Sequence, residues 1–205
     1  LDNAAAMQRV GRRILPDPRL TWVTASAEDL ADHVRGPADA VVCNSAIWKT
    51  NVSAVFAAVQ KVLRPGGRFV FNIGGGFAGV RHPDESTLRT GPSLNSLINQ
   101  VAARDYDYTP PSATDGPPKL PLEAVAEHLS AAGMTMLENE VVAQYSTMAE
   151  KKAWLSIPIF ARPDGEFTYA QRMEILDKAY SLTTPDATTV TSWLVVIAQR
   201  PWEES

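Results

Sequence analysis

Small polar residues gather where two apolar runs end. Ala38–Cys43 is a short β-rich run followed by Asn44-Ser45-Ala46, and Arg68–Ile73 is a second run followed by Gly74-Gly75-Gly76. In an open parallel sheet, ligands bind beyond the carboxyl ends of the strands. Asn44, Ser45, Ala46 and Gly74 are therefore candidates for ligand contact. Gly74-Gly75-Gly76-Phe77-Ala78-Gly79 also has the G-x-G-x-x-G spacing of a dinucleotide loop. That chemistry needs a helix opening at the last glycine and an acid about 20 residues on. Val80-Arg81-His82-Pro83 follows instead and resists a helix, so the match is a decoy. The glycines are expected to let the chain leave the sheet close to a ligand.

The elements that position these residues follow from periodicity. Val52, Val55, Val59, Val62 and Leu63 recur at helical spacing, with Phe56 beside them. Strand, helix and strand with tight links make a right-handed βαβ unit of a parallel sheet. Pro65-Gly66-Gly67 is expected to stop the helix and turn the chain into the second strand. Ahead of this unit, Leu1-Asp2-Asn3 reads as a strand end with an acid at its tip. Ala4–Leu15 reads as a helix with Met7, Val10 and Ile14 on one face, ended by Pro16-Asp17-Pro18. Leu20–Thr24 alternates as a strand does. Ser26 suits the N-cap of a helix from Ala27 to about Val34, with Glu28 and Asp29 in its first turn.

Behind the unit, helices are expected over Ser93–Ala103, Leu122–Ala132, Met148–Ile157 and Tyr169–Tyr180, and strands over Met134–Gln144 and Thr188–Gln199. Gly133 stands at a helix C′ position. Thr109–Pro121, rich in proline and poor in apolar residues, reads as a loop.

Composition narrows the class. The chain has 205 residues, 45% hydrophobic and 20% charged, with a net charge of −4. That is ordinary globular material, long enough for a sizeable core. Without a basic stripe, nucleic acid is not an expected partner. The single cysteine, Cys43, rules out an intrachain disulfide or a cysteine-based zinc site, and it reads as a small core hydrophobe. No metal site is expected. No apolar run reaches the roughly 18 residues of a membrane span, and no signal peptide opens the chain. A cytoplasmic protein without membrane contact is expected, and a homodimer is compatible with the sequence.

The order LDNAAAM, WVTASAEDL, ADAVVCNSAIW and VLRPGGRFVFN resembles the class I S-adenosylmethionine-dependent methyltransferases of the small-molecule type. The resemblance covers Leu1–Ile73 and rests on four segments in order. It implies an α/β fold: a Rossmann-like sheet, mostly parallel with an antiparallel last strand, helices on both faces and a helical cap. The expected organisation is one methyltransferase-like domain over 1–205, with 77–120 and 146–187 as cap or substrate insertions.

The implied cofactor is S-adenosylmethionine. Asp2, with Asn3 beside it, would accept the ribose hydroxyls. Ser26, Ala27 and Glu28 would meet the adenine at a helix start, where backbone N–H groups are free. Many relatives have an acid where Ser26 stands. Glu28 is open between ligand contact and a plain first-turn acid, and Met7 between adenine packing and core. Asn44, Ser45 and Ala46 would border the methionine part.

Relatives of this type carry a first strand and a glycine-rich loop ahead of the acid that Asp2 resembles. This sequence shows no such segment, a difference of about 30 residues or one strand–helix unit.

The implied reaction is methyl transfer to a small-molecule acceptor. A general base is needed only when the acceptor must lose a proton. His82, just past the strand that ends at Ile73, is the candidate base, whereas His33 and His128 fall on helices away from that edge. Trp48, Phe77, Tyr106, Tyr108, Trp154, Phe160 and Tyr169 are the candidate acceptor pocket, since aromatic walls exclude water. The alternative is a non-catalytic methyltransferase-like subunit or regulator that does not bind the cofactor. A nicotinamide oxidoreductase would rest only on the glycine decoy.

Overall fold

The computed structural model describes residues 1–89, 91–110 and 119–202. In chain order the elements are α1 (Ala5–Ile14), a 3-10 turn (Ala27–Asp29), α2 (Leu30–His33), β1 (Ala38–Cys43), a 3-10 turn (Ile47–Lys49) and α3 (Val52–Val62). Then follow β2 (Leu63–Gly74), α4 (Gly75–Ala78), α5 (Asp84–Thr87), α6 (Leu94–Tyr106), α7 (Leu122–Ala131), β3 (Thr135–Thr147), α8 (Met148–Leu155), α9 (Tyr169–Tyr180) and β4 (Thr188–Gln199). Residues 111–118 of the expected Thr109–Pro121 loop lie outside the described residues. Two compact units result: Leu1–Val80, Pro118–Val141 and Leu194–Ser205 in one, Arg81–Pro117 and Val142–Trp193 in the other.

The sheet order is β1-β2-β4-β3. β1 and β2 are parallel, with Ala40 opposite Arg68 and Cys43 opposite Phe71. Gly66 N donates to Arg200 O at 2.9 Å and Arg200 N donates to Gly67 O at 3.0 Å. The start of β2 therefore faces the end of β4, which makes those strands antiparallel. The last strand thus enters between two earlier ones, and the expected mixed Rossmann-like sheet is present.

The first unit's core forms where α3 covers the sheet. Phe56 is fully buried, with its ring centroid 5.5 Å from that of Phe69 and 5.3 Å from that of Phe71. Val55, Val59 and Val62 extend this face, while Leu194, Val196 and Ala198 reach it from alternate positions of β4. Each large side chain so buried contributes about 1.5–3 kcal/mol. Cys43 packs against this cluster, and burial pushes its thiol pKa up. In the second unit, Leu97, Ile98 and Val101 of α6 pack with Leu155 of α8 and Ile175 and Leu176 of α9. Capping fixes where these helices start. Thr147 with Glu150, and Thr168 with Gln171, form reciprocal capping boxes, and Ser93 caps α6.

The structure corrects several expectations. Leu20–Thr24 is not a strand: only a bridge between Asp2 and Thr24 forms. The face of α1 carrying Met7, Val10 and Ile14 is exposed, with Met7 and Ile14 each 65% accessible, so Met7 is not core. The helix packs instead through Gln8 and Gly11. A side chain at Gly11 would collide with the Trp22 ring, 2.3 Å from its Cβ position. Pro65-Gly66-Gly67 lies inside β2 rather than before it, and the parallel register slips between Ala38 and Ala40 to accommodate it. Val80–Pro83, expected to resist a helix, lies between the single turns α4 and α5 and is not helical.

Candidate functional site

Asp2 is held by its backbone. Its N–H donates to Val23 O at 3.1 Å, and its carbonyl accepts from Ala25 N at 3.3 Å. Gln8, 3% exposed, reinforces the junction. Its side-chain amide donates to Asp2 O at 2.7 Å and to Val23 O, and Thr24 Oγ1 donates to Gln8 Oε1 at 3.2 Å. The Asp2 carboxylate projects from this support. Oδ1 accepts from Ala4 N at 2.6 Å. Oδ2 has no partner among the described residues, which suits a donor such as a ribose hydroxyl.

One residue after Ala25 the chain enters the 3-10 turn of Ala27–Asp29. Ser26 has the extended backbone of an N-cap, but its hydroxyl donates to Glu28 Oε2 rather than capping. Glu28 Oε1 accepts from Asn51 N at 2.8 Å. One carboxylate oxygen of Glu28 thus stays within the turn, and the other joins it to the start of α3. The Ser26 hydroxyl, and then the Asn51 amide, hold this carboxyl below the usual glutamate range. What remains for a planar ligand at this turn is the Ala27 backbone amide, which a helix start leaves without an intrahelical acceptor.

β1 ends at Cys43, and the chain then makes a left-handed turn. Ser45 has φ of 56°, a conformation unusual for a residue with a side chain. Asn72 on β2 accepts from Ser45 N at 2.6 Å through Oδ1, and Ser45 Oγ donates to Asn44 Oδ1 at 3.1 Å. Backbone strain of this kind clusters at ligand sites. Beyond the turn, Trp48 stacks on Phe77, with centroids 5.0 Å apart and planes 24° apart. Lys119 Nζ lies 5.1 Å from the Phe77 centroid, and Leu120 N donates to Phe77 O at 3.0 Å. Trp48, Phe77 and Lys119 thus make one layered wall.

The other aromatic candidates fall into two groups in the second unit. Tyr106 and Tyr108 pack edge-on against Phe167, and Tyr106 OH donates to Glu174 at 3.0 Å. Trp154 stacks on Phe160 at 4.4 Å, while Tyr169 OH donates to Ser156 O at 2.6 Å.

His82 sits among hydrogen bonds. Its N–H donates to Ser192 Oγ at 2.8 Å, and its ring Nδ1 accepts from Asp84 N at 3.2 Å. Asp84 Oδ2 lies 3.9 Å from the same ring nitrogen and accepts from Tyr145 OH. His33 ends α2, and His128 on α7 has Nδ1 3.1 Å from Ser53 Oγ.

The residues that sequence reading missed are Gln8 and Asn72. Each is a polar side chain that fixes the backbone of a distant segment. Asn72 could have been suspected, since an amide in an apolar strand needs a partner. Among the described residues, no group of three or more His, Cys, Asp or Glu could hold a metal ion, and no helix is long and apolar enough to cross a membrane.

Comparison with known proteins bears on the family and the fold. Residues 1–71 match the model of a family described as a methyltransferase domain. No curated protein matches the sequence. Among solved structures, the YcgJ protein of Bacillus subtilis is similar with a TM-score of 0.53 and 14% identity, over 98% of this chain and 81% of that one. A candidate methyltransferase of Bacillus halodurans is similar with a TM-score of 0.51 and 16% identity, over 98% and 81%. A protein from work on conversion of a disulfide into a thioacetal in echinomycin biosynthesis gives 0.51 and 14%, over 98% and 64%. At such identities the likeness is one of fold. The chain therefore shares the fold of these solved structures, and its first 71 residues are similar to a methyltransferase domain.

Proposed function

We propose that this protein transfers a methyl group from S-adenosylmethionine to a small-molecule acceptor. The matched residues 1–71 contain Asp2, Asn3, Ser26–Glu28 and Asn44–Ala46. The observation that carries the reading is the open Oδ2 of Asp2, held by Gln8 at the start of that matched segment. Asp2 would hold the ribose and the Ala27 amide the adenine edge. The left-handed turn at Ser45 would border the methionine part, and Trp48 and Phe77 would wall the adjoining space. When bound, the cofactor supplies a methyl already activated on a sulfonium, so the leaving group needs no acid. The chain's own contribution is then mostly positioning and exclusion of water.

His82 is the proposed base where the acceptor must lose a proton. The Asp84 amide on Nδ1 places the ring proton on Nε2. Base action needs the other tautomer, with the proton on Nδ1 facing Asp84 Oδ2, which leaves Nε2 free to accept.

Calorimetric titration with S-adenosylhomocysteine tests the cofactor role. Wild-type protein is expected to bind, and Asp2→Ala to bind more weakly by roughly 1–3 kcal/mol. Equal affinity would remove Asp2 from the site. Absence of wild-type binding would favour a non-catalytic relative. Transfer of labelled methyl to a panel of small molecules, and not to protein or nucleic acid, tests the acceptor class.

A further inference from the structure

The second unit holds a cavity of about 420 Å³ that shares no residue with the aromatic candidates. Its floor is apolar: Leu94, Leu97 and Met148 line it and are buried. Leu88 and Leu182, 42% and 60% exposed, stand in its lining as a rim. Ser93, Thr183, Thr188 and Thr189 also line it.

Three charged side chains line the cavity, Glu85, Arg89 and Lys151. Glu85 already has partners. Its Oε2 accepts from Ser192 Oγ at 2.5 Å, and its Oε1 lies 3.9 Å from an Arg89 guanidinium nitrogen. Lys151, half-buried on α8, makes no hydrogen bond or ion pair among the described residues. Burial lowers its pKa, and the charge of Glu85 acts against this. A half-buried ammonium without a partner is costly, and an anion beside it would remove that cost.

We propose that this cavity binds a small amphiphile: an aliphatic chain seated on Leu94, Leu97 and Met148, ending in one carboxylate that pairs with Lys151. With Glu85 matched to Arg89, the lining leaves one net positive charge. A monoanion balances it, whereas a phosphate dianion would meet Glu85 as well. The volume lies in the range of ordinary ligand sites. This site goes beyond the methyltransferase reading and does not rest on it.

The test uses octanoate and the intact protein labelled with ¹³C at its methionine methyls, of which Met148 lines the cavity. Octanoate is expected to shift the Met148 resonance and to bind at least about tenfold tighter than octanol or octylamine. Lys151→Met should weaken octanoate by about tenfold or more, and Lys151→Arg should stay within about threefold of wild type. Three results would each overturn the proposal: no Met148 shift, octylamine or octanol binding as tightly as octanoate, or undiminished octanoate binding in Lys151→Met. The comparison of the three ligands needs only wild-type protein, so it stands even where a variant fails to fold.

Discussion

Asn72 accepts the backbone N–H of Ser45 at 2.6 Å, across 27 positions of sequence, and so holds Ser45 in its left-handed turn. One side chain on β2 thereby sets the shape of the loop after β1. Without it, the Ser45 amide would lose its acceptor while the backbone remained strained.

Asn72→Leu should therefore cost about 1–3 kcal/mol of stability, the scale of an unsatisfied part-buried donor. Urea denaturation measures it, and affinity for S-adenosylhomocysteine should fall in parallel. Ser45→Gly relieves the left-handed strain and should raise stability by up to about 1 kcal/mol. If Ser45→Gly were destabilising, the turn would not be strained.

Gln8→Leu should loosen Asp2 while leaving its carboxylate in place. The variant loses hydrogen bonds to Asp2 O and Val23 O and the one received from Thr24. A loss of about 1–3 kcal/mol in stability is expected. Hydrogen exchange should show earlier opening of the Asp2 and Ala25 amides, whose acceptors lie across this junction. Unchanged exchange would mean that the bridge holds without Gln8.

Acid should undo the Glu28 link. Its folded-state pKa is depressed below the ordinary 4.5 by the Ser26 hydroxyl and the Asn51 amide. A depressed carboxylate contributes stability that is present above 4.5 and lost as pH falls through the folded value. Glu28→Gln removes that contribution at neutral pH, so its stability should fall less steeply than wild type below 4.5. Denaturation curves at a series of acidic pH values compare the two slopes, and equal slopes would show that Glu28 is not held ionised.

His82→Ala should slow methyl transfer with an acceptor that must lose a proton, by about 10²-fold or more. Cofactor affinity should stay nearly intact. Asp84→Asn, which keeps the amide donor but removes the carboxylate facing Nδ1, should reproduce part of the loss. Wild-type turnover in His82→Ala would leave the ring only its contact with the Asp84 amide.

Much of the scaffold was legible because it is written in periodicity. Val55, Phe56, Val59 and Val62 mark the buried face of α3, and the helices bearing Thr147, Thr168 and Ser93 caps carry their own start signals. Gln8 and Asn72 leave no such trace, since their partners lie on distant segments. Gln8 sits within an amphipathic pattern whose apolar residues point to solvent, so that pattern indicated the wrong face. Leu20–Thr24 alternates as a strand does, but alternation cannot supply a neighbour to pair with. The aromatic residues were grouped by type, whereas packing sorts Trp48 and Phe77 apart from Tyr106 and Tyr108 on Phe167.

The place of β4 in the sheet has a consequence for how the protein is made. β4 is the last of the described strands in sequence, yet it lies between β2 and β3. During synthesis, β2 and β3 emerge before the strand that joins them, so β2 waits with one edge unpaired and β3 waits without a sheet partner. Leu194, Val196 and Ala198, each at most 1% exposed at the end, complete the core only after the ribosome has passed them. Such long-range closure slows folding. A chain released before residue 199 would expose two sheet edges at once, the state in which nascent proteins aggregate or engage chaperones.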